Sequence, residues 1–281
     1  MGRWRGWIWI GFMLALLIVA SGVLNELFVQ EQGRLEMEDE SASNTYSETY
    51  PFPAGDPPQV VIRGGVGDVT IRAGGEDVNI TVEYTETAYS TSESGAKNEL
   101  KDIKVSAEQE GDTLRISTAQ NDDNTSLRLN RVDLLITVPD EIALDVYLGT
   151  GDIRIEGIRA AGQLRAHTMI GDAALTDVIA PEGMDIQARA GSVTFAGKIG
   201  AEGDYELLAG VGTMIVQLPT DTNARLAVQT LFGGITVEGL DVVDTTEQEQ
   251  GSGSSLRGVL GQNGRPLTIT NHMGDIRIAA Q

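Results

Sequence analysis

Beyond residue 58 the chain alternates apolar and polar residues in short runs, and the runs are punctuated by a glycine that keeps a constant place within them. Seven glycines hold that place: Gly67, Gly151, Gly171, Gly191, Gly212, Gly233 and Gly274. Two residues after each stand Val69, Ile153, Ala173, Val193, Met214, Ile235 and Ile276, and four after it stand Ile71, Ile155, Leu175, Phe195, Val216, Val237 and Ile278. The position between is mostly of an outward-facing type, with Thr70, Arg154, Thr194, Thr236 and Arg277 among its occupants. A second alternating run precedes each glycine. Val60, Leu144, Leu164, Met184, Tyr205, Leu226 and Leu267 lie seven residues before it, and Ile62, Val146, Ala166, Ile186, Leu207, Val228 and Ile269 lie five before. A period of two is that of a half-buried strand, so each unit reads as strand, glycine bend, strand, turn.

Successive glycines are 84, 20, 20, 21, 21 and 41 residues apart, all close to multiples of one unit, which is the mark of a stacked repeat. Two short strands cannot bury a core alone, but stacking the units does so. The expected fold is therefore all-β: a β-solenoid of two-strand rungs of about 20–21 residues, each strand pairing with its equivalent one repeat earlier. At ~4.8 Å per strand, around ten units give a rod on the order of 50 Å long. Glycine suits the bend because a Cβ is penalised where φ is positive.

The pattern breaks twice. Residues 76–143 hold clear strands at other offsets and are expected to be irregular, partly antiparallel strands capping one end of the solenoid domain, 58–281. Within the 41-residue gap, "EQEQGSGSSLRGVLGQNG" reads as a projecting loop, being rich in Gly and Ser. Before the domain, Arg3 and Arg5 precede an uncharged apolar run from Trp7 to Leu24, close to the ~20 residues a bilayer span needs. With Trp4, Trp7 and Trp9 at its edge, residues 1–29 are expected to be an N-terminal transmembrane helix with its start cytoplasmic and everything later outside. A cleaved signal peptide is the alternative, since "VAS" and "ASG" are tolerable cleavage sites, but Leu27, Phe28 and Val29 resume the apolar run beyond them. Residues 30–57, acidic and then Ser/Thr/Pro-rich, read as a flexible stalk.

Charge narrows the partners. Against 20 basic residues there are 41 acidic ones, for a net charge of -21; nothing here would neutralise a row of phosphates, so nucleic acid is excluded as a partner. The chain has no cysteine, which removes disulfides, thiolate metal sites and cysteine nucleophiles together.

Three stretches carry a family resemblance: "VVIRGGVGDVTI" opening the domain, "VDLLITVPDEIALDVYLGTGDIRIEGI" in its middle and "SLRGVLGQNGRPLTITNHMGDIRI" at its end. With them the chain resembles the bacterial putative-adhesin family of β-strand-repeat envelope domains over about residues 58–281. The resemblance implies a membrane-tethered or surface-exposed domain and adhesion. It supplies no catalytic residue.

Candidate chemistry is sparse. Asp68, Asp152, Asp172 and Asp275 follow repeat glycines and are of a type that ligates Ca²⁺ in turns. The equivalent residues are Ser192, Thr213 and Gly234 elsewhere, and capping of the bend's own amides accounts for Asp, Ser and Thr together. His167 and His272 fall at different offsets and would make a metal site only if the fold brought them together. Acids such as Glu156, Glu238 and Asp241 are scattered rather than paired, and the chain lacks a G-x-S-x-G elbow, a P-loop and an H-E-x-x-H helix. No cofactor is expected. The reading is a membrane-anchored, extracytoplasmic, non-enzymatic binding, adhesion or scaffold module, held to the bilayer by its N-terminal helix and meeting an envelope protein or glycan. Two alternatives stand beside it: a carbohydrate-active enzyme on a β-helix scaffold, and a bactofilin-like self-assembling scaffold.

Overall fold

The computed structural model describes residues 40–53, 55–75, 79–120, 130–262 and 264–281. The expected anchor, 1–29, and the first part of the stalk, 30–39, lie outside the described residues. No helix among the described residues is long and apolar enough to cross a membrane.

The chain opens with β1 (Glu40–Tyr50), followed by β2 (Gln59–Val66) and β3 (Val69–Ala73) around Gly67. Next come β4 (Ile80–Ser90), a short helix α1 (Glu93–Glu99), β5 (Ile103–Glu110), β6 (Thr113–Gln120) and β7 (Arg131–Val138). The regular coil starts at β8 (Glu141–Thr150) and β9 (Ile153–Glu156), with the two-residue β10 (Arg159–Ala160) after them. It continues through β11 (Leu164–Ile170) and β12 (Ala173–Ala180), β13 (Met184–Ala190) and β14 (Val193–Ile199), then β15 (Tyr205–Val211) and β16 (Met214–Leu218). Then follow β17 (Ala224–Phe232) and β18 (Ile235–Glu238), β19 (Val242–Gln250) and β20 (Gly253–Leu260), and finally β21 (Arg265–Met273) and β22 (Ile276–Ala280).

Two long sheets result, one on each side of the glycine bend. The strands before the bend run β5-β6-β2-β8-β11-β13-β15-β21-β17-β20-β19. Those after it run β1-β4-β7-β3-β9-β12-β14-β16-β22-β18. All pairings within the coil are parallel, and the antiparallel ones are confined to the ends. Every apolar position that the repeat assigned to the interior is buried, with two exceptions, Ile235 and Val237, which are half-buried. Their strand, β18, is the last of its sheet, so it lacks a neighbour on one side.

Four features differ from the expectation. First, the rung has a short third side. The β10 strand pairs with the start of β8 and with Ile179, and Val178–Ala180 pair in turn with Gly197–Ile199. The strand after the bend turns this corner at Asp177, whose φ is 54°.

Second, the layers do not stack in chain order. Gly274's layer is inserted between those of Gly212 and Gly233: β21 pairs with β15 on one side and β17 on the other, and β22 with β16 and β18. At the opposite end the Gly67 layer is likewise sandwiched between β6 and β7 on one side and β8 and β9 on the other. Spacing alone is blind to such a permutation because 21 and 41 residues satisfy the same period in either order. The inserted layer is fully apolar inside, with Leu267, Ile269, Ile276 and Ile278 buried, and it takes the interior place.

Third, the segment read as a projecting loop is largely the β19–β20 hairpin, whose second strand lies antiparallel on β17 and buries Leu256 and Leu260. It closes the end of the first sheet.

Fourth, Glu40–Tyr50, read as part of a flexible stalk, are a strand paired with β4 over 11 residues. Polar sequence does not prevent pairing when the partners match across the strands. Thr45 meets Thr85 with hydroxyls 3.0 Å apart, Thr49 meets Thr81 at 3.3 Å, and the rings of Tyr46 and Tyr84 stack at 4.9 Å.

On β4, Glu86 is a buried carboxyl, and desolvation raises its pKa. A raised carboxyl pKa penalises folding at pH above the folded value, and the penalty disappears below the unfolded value, near 4.3. Glu86→Gln should therefore melt higher than the parent at pH 7, with the difference closing as pH falls toward 4. Thermal melts across that range check it, and a variant that melts lower at pH 7 would count against this placement of the side chain.

Candidate functional site

The seven repeat glycines form one column along the rod. Each has positive φ, from 132° at Gly67 to 156° at Gly191, and each sits against the backbone of the layer before it. A Cβ built on Gly171 would lie 2.0 Å from the carbonyl oxygen of Gly151, and one on Gly151 would lie 2.0 Å from that of Gly67. Close backbone approach, as much as the turn itself, is why the position is glycine.

The aspartates beside the column form a ladder. Asp68 Oδ1 accepts from the Asp152 amide at 2.9 Å, Asp152 Oδ1 from the Asp172 amide at 2.9 Å, and Asp172 Oδ1 from the Ser192 amide at 2.7 Å. Ser192 Oγ continues it to the Thr213 amide, and Asp275 Oδ1 accepts from Gly234. The capped amide thus belongs to the next layer, not to the residue's own bend as expected. In a coil the neighbouring layer's amide is the unpaired donor within reach. Two of the second oxygens are occupied as well: Arg131 bonds Asp68 at 3.0 Å and Arg154 bonds Asp152 at 2.7 Å. No group of three or more acidic or histidine side chains among the described residues is placed to hold a metal ion.

His167 and His272 are not brought together. They belong to the Gly171 and Gly274 layers, with the Gly191 and Gly212 layers between them. His272 is exposed, whereas His167 Nε2 stands 3.0 Å from Asp185 Oδ2, close enough for an ion pair but without hydrogen-bond alignment. Burial pushes the Asp185 carboxyl up, and His167 together with the Gln187 amide, which donates to it at 3.0 Å, pulls it down by more.

A buried polar column escaped the sequence reading. Three residues before the glycine, Thr168, Thr230 and Asn271 point inward, where other layers have Leu148, Ala188 or Ala209. Each donates to the repeat-glycine carbonyl of the adjacent layer, at 2.9, 3.0 and 2.9 Å. A polar residue at an otherwise apolar offset was the readable signal.

Another column runs along the outside of the same corner. The residue just before the glycine points to solvent because the turn follows immediately, so its side chain cannot re-enter the core. In rod order this column is Thr150, Ile170, Ala190, Val211, Met273 and Phe232, each in register with the next. Ile170, Val211, Met273 and Phe232 are 57%, 54%, 52% and 56% exposed, so more than half of each large apolar side chain faces water. Met169 and Leu231 widen the ridge by one position. From Ile170 to Phe232 it covers five layers, four strand spacings or roughly 19 Å. Singly scattered exposed apolar residues are ordinary on a protein surface, whereas these share one column.

Beside the Phe232 end of the ridge, the outer face of β21, β17, β20 and β19 forms an open groove of about 600 Å³. It is lined by hydroxyl and amide side chains such as Gln229, Thr246, Gln248, Ser255 and Thr270, and among the described residues Arg257 is its charged side chain and no carboxylate lines it.

Parallel, layered strands, a glycine column at one corner and antiparallel strands at the ends define a repeat-stacked β-coil domain. The chain belongs to the Toastrack DUF4097 family, of unknown function, whose model matches residues 60–207. None of the curated proteins matches it. Among solved structures it is similar to a putative cell adhesion protein of Clostridium sporogenes, with 16% identity over 85% of this chain and 100% of that one, at a TM-score of 0.48. It is also similar to a putative adhesin of Bacteroides fragilis, with 13% identity over 84% and 97% of the two chains and a TM-score of 0.35. A putative lipid binding protein of Parabacteroides distasonis gives 12% identity, 85% and 97% coverage and a TM-score of 0.31.

Proposed function

We propose that this protein is a non-enzymatic binding module, tethered to a membrane by residues 1–29 and displayed on its outer side, whose contact surface is the apolar ridge from Ile170 to Phe232. The observation that carries the reading is the registered column of more than half-exposed Ile170, Val211, Met273 and Phe232. The occupant is a different envelope protein rather than a second copy of this chain. A net charge of -21 makes like copies repel, and the carboxylates of Asp172 and Asp275 lie beside the ridge along the corner. The partner therefore presents an apolar stripe bordered by basic residues. This favours heterotypic binding over the self-assembling scaffold.

A second reading is favoured by the groove beside Phe232. Its hydroxyl and amide lining suits a glycan, and the lack of carboxylates there speaks for binding rather than cleavage.

A photo-crosslinking amino acid at Phe232, in the full chain in intact cells, should capture a discrete protein that the same group at the outward position Thr194 does not. Val211→Asp with Met273→Asp should cut that capture at least ~10-fold, since central apolar anchors carry ~2 kcal/mol or more each. Equal labelling from positions 232 and 194 would sink the proposal.

A further inference from the structure

We infer that the corner of the rod bounded by Lys198, Arg225 and Arg265 is a binding site for a phosphate-type oxyanion. The site follows from the interleaved topology. Each regular turn climbs one layer and lays a short third side on the one below, ending with Gly197–Ile199 stacked on Val178–Ala180. The connection from β16 to β17 must climb two layers, because β21 and β22 occupy the place between. It therefore leaves the third side. A pocket of about 610 Å³ opens there, with Lys198–Ala201 on one wall, 219–225 on the other and Gly264 and Arg265 between them.

Three cations line this single pocket, in a chain where acids outnumber bases by 41 to 20. They come from three different layers: Lys198 from the end of β14, Arg225 from β17 and Arg265 from the start of β21. Asp221 is the one acid among the described residues of the lining, and Glu202 lies in the adjoining turn. Lys198 forms no ion pair with any described residue. Arg265 Nε donates to the carbonyl of Ala201 at 3.0 Å, which orients its guanidinium along the pocket wall. The wall is tied together by buried Tyr205, whose hydroxyl accepts from the Gly200 amide at 2.8 Å and reaches the carbonyls of Ala180 and Glu202. Planar guanidinium forks and an ammonium point charge are the groups that recognise phosphate oxygens. The open mouth leaves room for a phosphate attached to something larger.

Isothermal titration of the full chain in neutral detergent, at fixed ionic strength, with inorganic phosphate and separately with glycerol 3-phosphate, tests this. The parent should bind phosphate, and Lys198→Gln with Arg265→Gln should weaken it at least tenfold, while chloride gives no signal. Tighter binding of the ester than of free phosphate would indicate a phosphate carried on a larger molecule; equal binding would indicate the free ion. If the double variant fails to fold, Lys198→Gln alone gives the readout, since its side chain makes no ion pair to lose. Phosphate binding that is absent in the parent, or unchanged in a folded variant, would overturn the inference.

Discussion

Gly171→Ala should lower stability by about 4 kcal/mol or more, bringing the melting temperature down by roughly 10 °C. Two costs add. Alanine at a φ of 136° is strained, worth about 1–3 kcal/mol, and its Cβ would lie 2.0 Å from the Gly151 oxygen and 2.5 Å from its carbon. Neither backbone can yield cheaply, because both are held in the ladder: the Gly151 amide bonds Ile170 O at 2.7 Å and the Gly171 amide bonds Ala190 O at 2.9 Å. The matched control is Gly162→Ala. Gly162 also has positive φ, 86°, but a Cβ there meets nothing within 4 Å. That substitution should cost only the backbone preference, about 1–2 kcal/mol. Melts of the two variants side by side decide the matter. If Gly171→Ala melts within a degree or two of Gly162→Ala, the close stacking of layers is wrong.

The interior of the coil was legible because a strand buried on one side writes its burial into every second residue, and because seven layers repeated the same sentence. Val69 and Ile71, or Leu207 and Val216, needed no tertiary information to be placed inside. What the pattern could not carry was neighbour identity. A layer such as Leu267, Ile269, Ile276 and Ile278 fits equally well beside any other apolar layer, so its insertion ahead of Gly233's layer became visible only in the pairing. The same blindness concealed the hairpin of β19 and β20. Its Gly/Ser content argued for a loop, yet Leu256 and Leu260 find a buried place against β17.

The candidate sites split along the same line. Ridge residues such as Ile170 and Phe232 stand at a constant offset, directly before the repeat glycine, so their alignment is legible in the sequence. The basic corner of Lys198, Arg225 and Arg265 could not. Those residues are far apart in sequence and share a pocket only because the connection from β16 to β17 rises two layers. The ridge depends on that same permutation, since it places Met273 between Val211 and Phe232.

A pair of engineered cysteines measures this directly, in a chain that has none of its own. Val211 and Met273 are register partners on adjacent parallel strands, with their α-carbons about 4.8 Å apart. Two cysteines there fall within disulfide reach, which closes above about 7 Å. Val211 and Phe232 are separated by the Met273 layer, or roughly 9.6 Å at two strand spacings. Under mild oxidation, Val211→Cys with Met273→Cys should close to a disulfide, and Val211→Cys with Phe232→Cys should remain two free thiols. The opposite outcome, with 211 joined to 232 and not to 273, would mean that the layers stack in chain order and would contradict the interleaved coil.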